Sequence, residues 1–186
     1  MQVVKTRLPG CVAIQPEMHV DARGVFHENW HAARFAAHGL PAQFVQHNVS
    51  RSHHGVLRGL HYQWPQHPQG KLVSVLEGEV FDVAVDIRRG SPTFGQHVAA
   101  ILSADNHRQF WVPEGFAHGF LVLSDTALLT YLCTAPYARG SDNALRWDDP
   151  QLAIDWPLAD VSLSAKDAAA PLLADIAPEC LPQYPA

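Results

Sequence analysis

Along residues 80–88, VFDVAVDIR, the apolar Phe81, Val83, Val85 and Ile87 alternate with Asp82, Ala84, Asp86 and Arg88. A period of two predicts a half-buried strand with one face on a core and the other toward water. KLVSVL at 71–76 predicts another strand, and the intervening EGE, centred on Gly78, predicts a hairpin between the two. HVAAIL (97–102), RQFWV (108–112), HGFLVL (118–123) and ALLTYLC (127–133) continue the series, separated by the turn-rich stretches RGSPTF, SADNH, PEGFA and SDT. Short strands at this spacing predict an all-β sandwich or barrel.

Helix is scarce in the pattern. WHAARFAAHG (30–39) predicts a short one with Gly39 as its stop, and AKDAAAPLLADI (165–176) a turn or two broken at Pro171. An apolar N-terminal segment, QVVKTRL, would be an exposed edge strand unless a partner pairs with it. No repeat, low-complexity tract or linker interrupts the 186 residues, so a single domain spanning 1–186 is expected, its last dozen or so residues a peripheral tail.

Composition narrows the partners. A formal charge of −5 argues against a nucleic-acid or anionic-membrane surface, so an anionic small molecule would need a local cluster of cations. Cys11, Cys133 and Cys180 are distant, odd in number and outside any CxxC spacing, which points to neither a disulfide framework nor a zinc site. No run of about 18 apolar residues occurs, and MQVVKTRLPG lacks the apolar core of a secretion signal. A cytoplasmic protein is expected.

Twelve histidines are many for this length. His19, His27, His31, His38, His54, His67, His97 and His107 lie among polar or turn residues and are expected at the surface; His47 and His53 are ambiguous. His61, in RGLHYQ, and His118, in AHGF, sit beside glycines among apolar neighbours. A metal site on a strand favours two histidines at i and i+2, on one face. Here the i+2 partners are Gln63 and Phe120, and no HxH occurs in the chain, so no metal is expected. A buried neutral histidine is the plain alternative. Against it stand Lys71, opening an apolar strand, and Tyr131, a phenol within LLTYLC: a histidine, a lysine and a phenol in apolar settings suit acid–base chemistry. Strict alternation sets Arg58 and His61 on opposite faces, unless Gly59 permits a bulge.

DARGVFHE (21–28), QHNVS (46–50), GVLRGLHYQ (55–63), the long run from Gln69 to Gly95, VPEGFAHGFLVLSD (112–125), RWDDP (146–150) and LSAKDAAAP (163–171) together resemble the dTDP-4-dehydrorhamnose 3,5-epimerase family. The resemblance extends from about residue 3 to about residue 174. It implies an all-β, cupin-type jelly roll with short peripheral helices, working without metal, NAD or flavin, as a homodimer that exchanges N-terminal strands. The implied substrate is dTDP-4-dehydro-6-deoxy-D-glucose, epimerised at C3 and C5 to dTDP-4-dehydro-L-rhamnose. The resemblance makes His61 the base, Asp167 its orienting carboxylate and Tyr131 the acid, with Tyr137 stacking on thymine. It makes Arg23, Glu28, Gln46, Asn48, Arg58, Lys71, His118 and Lys166 contacts to nucleotide or sugar. Two departures stand out: QHN where the family often has QDN, and Asp142 where a glutamate is usual.

The chemistry agrees with those roles. C3 and C5 flank the C4 ketone, so loss of either proton gives an enolate, which asks for a base, an acid on the opposite face and a cation near the oxygen. An imidazole, whose ordinary pKa is about 6.5, suits the first role, and a phenol near 10 the second. Lys71, with His118, suits the third, and Arg23, Arg58 and Lys166 suit a pyrophosphate. The same residues would serve an epimerase acting at C3 or C5 alone. A sugar-nucleotide binding module without catalysis, and a metal-dependent cupin oxygenase, are the alternatives from other classes.

Overall fold

The computed structural model describes residues 1–185. Thirteen strands follow in chain order: β1 (Gln2–Lys5), β2 (Val12–Gln15), β3 (Met18–Asp21), β4 (Gly24–His27), β5 (Gln46–His53), β6 (Leu57–Gln63) and β7 (Lys71–Glu77). Then come β8 (Glu79–Asp86), β9 (His97–Ser103), β10 (Gln109–Val112), β11 (Phe116–Val122), β12 (Thr126–Cys133) and β13 (Asp142–Ala144). Helix is limited to α1 (Ala32–Ala37), α2 (Ala165–Ala168) and three short 3₁₀ turns among the described residues. Gly39, at φ +70°, ends α1 as its position predicts.

Two antiparallel sheets face each other. One has the order β1-β2-β10-β7-β12-β5 and the other β13-β6-β11-β8-β9, while β3 and β4 form a separate ribbon. The interior between the sheets is apolar at one end, where Val73, Val75, Phe110 and Leu129 meet Ala84, Phe116, Phe120 and Val122. This is a cupin-like jelly roll.

The predicted hairpin at Gly78 does not form. β7 pairs with β10 and β12, and β8 with β9 and β11, so EGE carries the chain from one sheet to the other. Gly78 is needed for a different reason: its φ is +76°, and a Cβ there would lie 2.1 Å from the Thr126 carbonyl oxygen. Two strands joined by a short tight turn look alike in sequence whether they pair or cross.

β8 is also not half-buried. Val83, Val85 and Ile87 pack under the C-terminal segment, against Leu145, Leu152, Leu173 and Leu181. The opposite face, bearing Asp82 and Asp86, looks into the sandwich, and both carboxylates are wholly buried. Asp86 survives there by accepting from Arg88 Nε at 2.9 Å, Ser91 Oγ at 2.6 Å and Thr93 Oγ1 at 2.6 Å. His97, expected at the surface, is half-buried with Nδ1 2.9 Å from the Leu152 carbonyl oxygen.

One irregularity governs what the interior can do. β6 pairs with β11 as His61↔His118 and Arg58↔Phe120, which leaves two residues, Gly59 and Leu60, against one, Gly119, so β6 bulges there. Arg58 and His61 are thereby turned to one side. The bulge needs backbone contact: a Cβ on Gly59, whose φ is +148°, would fall 2.5 Å from Gly119 Cα. Gly59→Ala is expected to destabilise the fold by at least about 1–3 kcal/mol, read as a lower urea midpoint at unchanged slope. A variant as stable as its parent would show that the bulge does not depend on the missing side chain.

Candidate active site

Two adjoining cavities of about 470 and 460 Å³ open between the sheets, and Val49, His61, Lys71 and Tyr131 line both. His61 comes from β6 in one sheet, and Lys71 and Tyr131 from β7 and β12 in the other. Imidazole and phenol therefore face the same space from opposite walls. Gln46, Asn48, Tyr137, Asp142 and Lys166 line the first cavity, and Arg58 and His118 the second.

His61 Nε2 lies 2.6 Å from Asp167 Oδ1. Asp167 is buried, and its Oδ2 also accepts from the Gly59 amide at 3.4 Å. Ser164 caps α2 by accepting from the Asp167 amide at 3.1 Å, which fixes the carboxylate relative to β6. Burial alone would raise the Asp167 carboxyl, but the His61 hydrogen bond and charge, with the Gly59 and Ser164 contacts, hold it below the ordinary carboxylate value. With Nε2 engaged by the carboxylate, Nδ1 is the nitrogen left to take a proton.

A second histidine–carboxylate pair adjoins the first. His118 Nε2 sits 3.0 Å from each oxygen of Asp82, both residues buried. Burial pushes the Lys71 ammonium below the ordinary lysine value, with Cys133, Asp142 and Asp82 pulling it back up. Lys71 Nζ lies 3.5 Å from the His61 carbonyl oxygen, which aims the amine across the cavity. Burial and the Cys133 thiol raise the Tyr131 phenol, while Asn48 and Arg58 lower it; the net shift is upward, so the group keeps its proton. Arg58 Nε donates to Ser52 Oγ at 3.1 Å.

At the other end of the space, Asp142 Oδ2 accepts both from the Tyr137 hydroxyl, at 3.0 Å, and from Lys166 Nζ, at 2.6 Å. The Tyr137 ring is more than half exposed. His47, from the departing QHN segment, makes a short contact with Thr130 Oγ1.

Ten of the sequence-derived site residues thus line one continuous space, and Asp167 stands behind His61. Arg23 and Glu28 lie outside it. Arg23 sits in the turn of the β3–β4 ribbon, exposed and paired with Asp21 at 2.6 Å, and Glu28 pairs with Arg34 at 3.4 Å. Sequence reasoning missed Asp82. Its signal was present in the polar face of residues 80–88, which reads as solvent-facing until the second sheet is known to cover it. Among the described residues no group of three or more His, Cys, Asp or Glu side chains gathers as a metal site, and no helix is long and apolar enough to cross a membrane.

Residues 5–175 match the family model described as dTDP-4-dehydrorhamnose 3,5-epimerase. A Pseudomonas aeruginosa protein of that name is 50% identical over 184 residues, covering 98% of this chain and all of its own length. The crystal structure of a dTDP-6-deoxy-D-glucose-3,5-epimerase from Legionella pneumophila, in complex with dTDP-4-keto-L-rhamnose, is 56% identical with a TM-score of 0.96, over 100% of this chain and 99% of that one. A 3'-monoepimerase from Streptomyces bikiniensis in complex with dTDP-quinovose is 35% identical with a TM-score of 0.89, over 97% and 93% of the two chains.

Because the folded-state pKa of Asp167 is depressed, its charge stabilises the fold fully above the ordinary carboxylate value of about 3.9, and that stability is lost as pH falls through the folded value. Asp167→Asn should therefore be less stable than the parent at neutral pH, by about 1–3 kcal/mol, and the gap should close in acid. Urea titrations across the acid range test this; a gap independent of pH would mean that the charge contributes nothing.

Proposed function

The chain belongs to the dTDP-4-dehydrorhamnose 3,5-epimerase family, and from that premise we propose that it inverts C3 and C5 of dTDP-4-dehydro-6-deoxy-D-glucose, yielding dTDP-4-dehydro-L-rhamnose. The observation that carries this reading is the opposition of His61 and Tyr131 across one cavity. His61 Nδ1 takes the proton beside the ketone, and Asp167 stabilises the imidazolium that results. The electron pair moves to the C4 oxygen, where the Lys71 ammonium and the His118 ring receive it. Tyr131 then delivers its phenolic proton to the same carbon from the opposite wall, and the centre is inverted. No oxidant or hydride carrier is needed, because each centre loses one proton and gains one.

Arg58 and Lys166 supply cations for the pyrophosphate in an otherwise acidic chain. Lys166 would exchange its Asp142 partner for a phosphate oxygen. Tyr137 offers an exposed ring for the thymine, with Gln46 and Asn48 beside it. A single-position epimerase is the second reading, supported by the likeness to the Streptomyces bikiniensis 3'-monoepimerase.

The reading extends to a cytoplasmic homodimer. Val20, Val25 and Phe26 on the β3–β4 ribbon, and Val4, Val45 and Val49 elsewhere, are each more than half exposed. A second copy would cover such apolar surface. It would also explain why Arg23 and Glu28 lie away from the cavity of their own chain: the ribbon would carry them to the partner's nucleotide. Light scattering should give twice the 20.5 kDa chain mass, and Arg23→Ala should weaken dTDP binding. A fully active monomer, or an Arg23→Ala enzyme with unchanged affinity, would defeat this extension.

In heavy water, NMR of the dTDP-4-dehydro-6-deoxy-D-glucose reaction should show deuterium entering at both C3 and C5. Label at one carbon favours the monoepimerase, and none with intact binding favours a binding module. His61→Asn should lower exchange by at least about 10²–10⁴-fold while dTDP still binds. Retained exchange would remove His61 from the base role.

A further inference from the structure

Between β12 and β13 the chain runs through Thr134, Ala135, Pro136, Tyr137 and Ala138 without joining either sheet. Beyond the bond from the Thr134 amide to the Gly70 carbonyl at 3.1 Å, its backbone is held by three glutamine side chains from three different parts of the fold. Gln69 Nε2 donates to the Ala135 carbonyl at 2.7 Å. Gln63 Nε2 donates to the Pro136 carbonyl at 3.1 Å, and Gln63 Oε1 accepts from the Ala138 amide at 2.8 Å. Gln46 Oε1 accepts from the Tyr137 amide at 2.7 Å.

Gln63 is the centre of this arrangement. It is buried, and its Nε2 makes a further bond to the His67 carbonyl at 2.7 Å, so both ends of the amide are engaged. It follows His61 by two residues on the same strand. One strand end thus sets the imidazole and, through a side-chain amide, the height of the Tyr137 backbone above the cavity. Asp142, opposite Gln63 in the β6–β13 register, holds the Tyr137 hydroxyl. The ring is pinned at both ends while its face stays exposed.

We infer that Gln63 is a positioning residue for nucleotide recognition: it pre-orders the segment bearing Tyr137, so that the base meets a fixed ring instead of ordering a loose one. This rests on Tyr137 being the platform for the base. Gln63 contributes nothing to proton transfer, since its amide is fully engaged by backbone groups. Its loss should weaken nucleotide affinity and leave turnover at saturation nearly intact, because ordering the segment would then oppose binding.

The test compares Gln63→Met, which keeps length and removes the amide, with Tyr137→Ala and with the double variant. Gln63→Met should raise the Kd for dTDP and the KM for the dTDP-sugar about tenfold, the change expected from about 1.4 kcal/mol, with kcat within about twofold of the parent. In the Tyr137→Ala background it should add no further loss, having no ring left to position. Gln69→Met, whose amide holds the segment at Ala135, farther from Tyr137, should move Kd in the same direction by less and gives the readout if Gln63→Met does not fold. Unchanged Kd, an equal fall in kcat, or full additivity with Tyr137→Ala would overturn the inference. If Tyr137→Ala itself leaves dTDP affinity unchanged, the platform reading fails first. If Tyr137→Ala weakens binding and neither glutamine variant does, the positioning role alone fails.

Discussion

The chemistry of this molecule depends on the contact of two glycines. Gly59 and Gly119 bring the backbones of β6 and β11 so close that neither position has room for a Cβ; one at Gly119 would lie 2.9 Å from the Arg58 carbonyl oxygen and 3.0 Å from Gly59 Cα. The bulge that results changes the side on which every later residue of β6 points. Without it, Arg58 and His61 would face opposite ways, and only one of them would meet the lysine and the phenol from the other sheet. The same contact sets the Gly59 amide against Asp167, so the bulge also helps to hold the carboxylate that orients the imidazole.

Much of this is legible in the sequence. Period-two alternation found the strands from 71 to 133, because each strand keeps at least one continuous apolar face. The cluster of His61, Lys71 and Tyr131 was also visible, since each is a polar group in an apolar run. The resemblance of the motifs added Asp167, which alternation alone does not link to a strand more than a hundred residues away. What escaped were facts of the second layer. The aspartates of β8 look like a wetted face in one dimension; they are interior because another sheet covers them and because Arg88, His118, Ser91 and Thr93 satisfy them. The EGE turn looks like a hairpin because a tight glycine turn has the same local chemistry whether its strands pair or part.

Arg23 and Glu28 are a different kind of gap. Their motif, DARGVFHE, forms part of the exposed apolar ribbon, and within one chain it reaches neither the core nor the cavity that holds His61 and Tyr131. A sequence motif records what residues touch when the protein works, whether or not those contacts lie within one chain. The apolar exposure of Val20 and Phe26 and the distance of Arg23 from the catalytic cavity are the two features on which the proposed second copy rests.

The glutamine at position 63 occupies the place where a strand could offer a second histidine beside His61. On a strand, residues at i and i+2 share a face, and a histidine at 63 would stand beside His61 as a paired metal donor. Gln63 instead commits its amide to three backbone groups, and His61 turns its Nε2 to a carboxylate. His118, the residue across from His61 in register, likewise engages a carboxylate of its own. Each imidazole is thus tied by one nitrogen to a buried acid. A histidine held in this way has a fixed tautomer and one free nitrogen, which is the condition that proton transfer at a carbon centre requires and that shared coordination of one ion would remove.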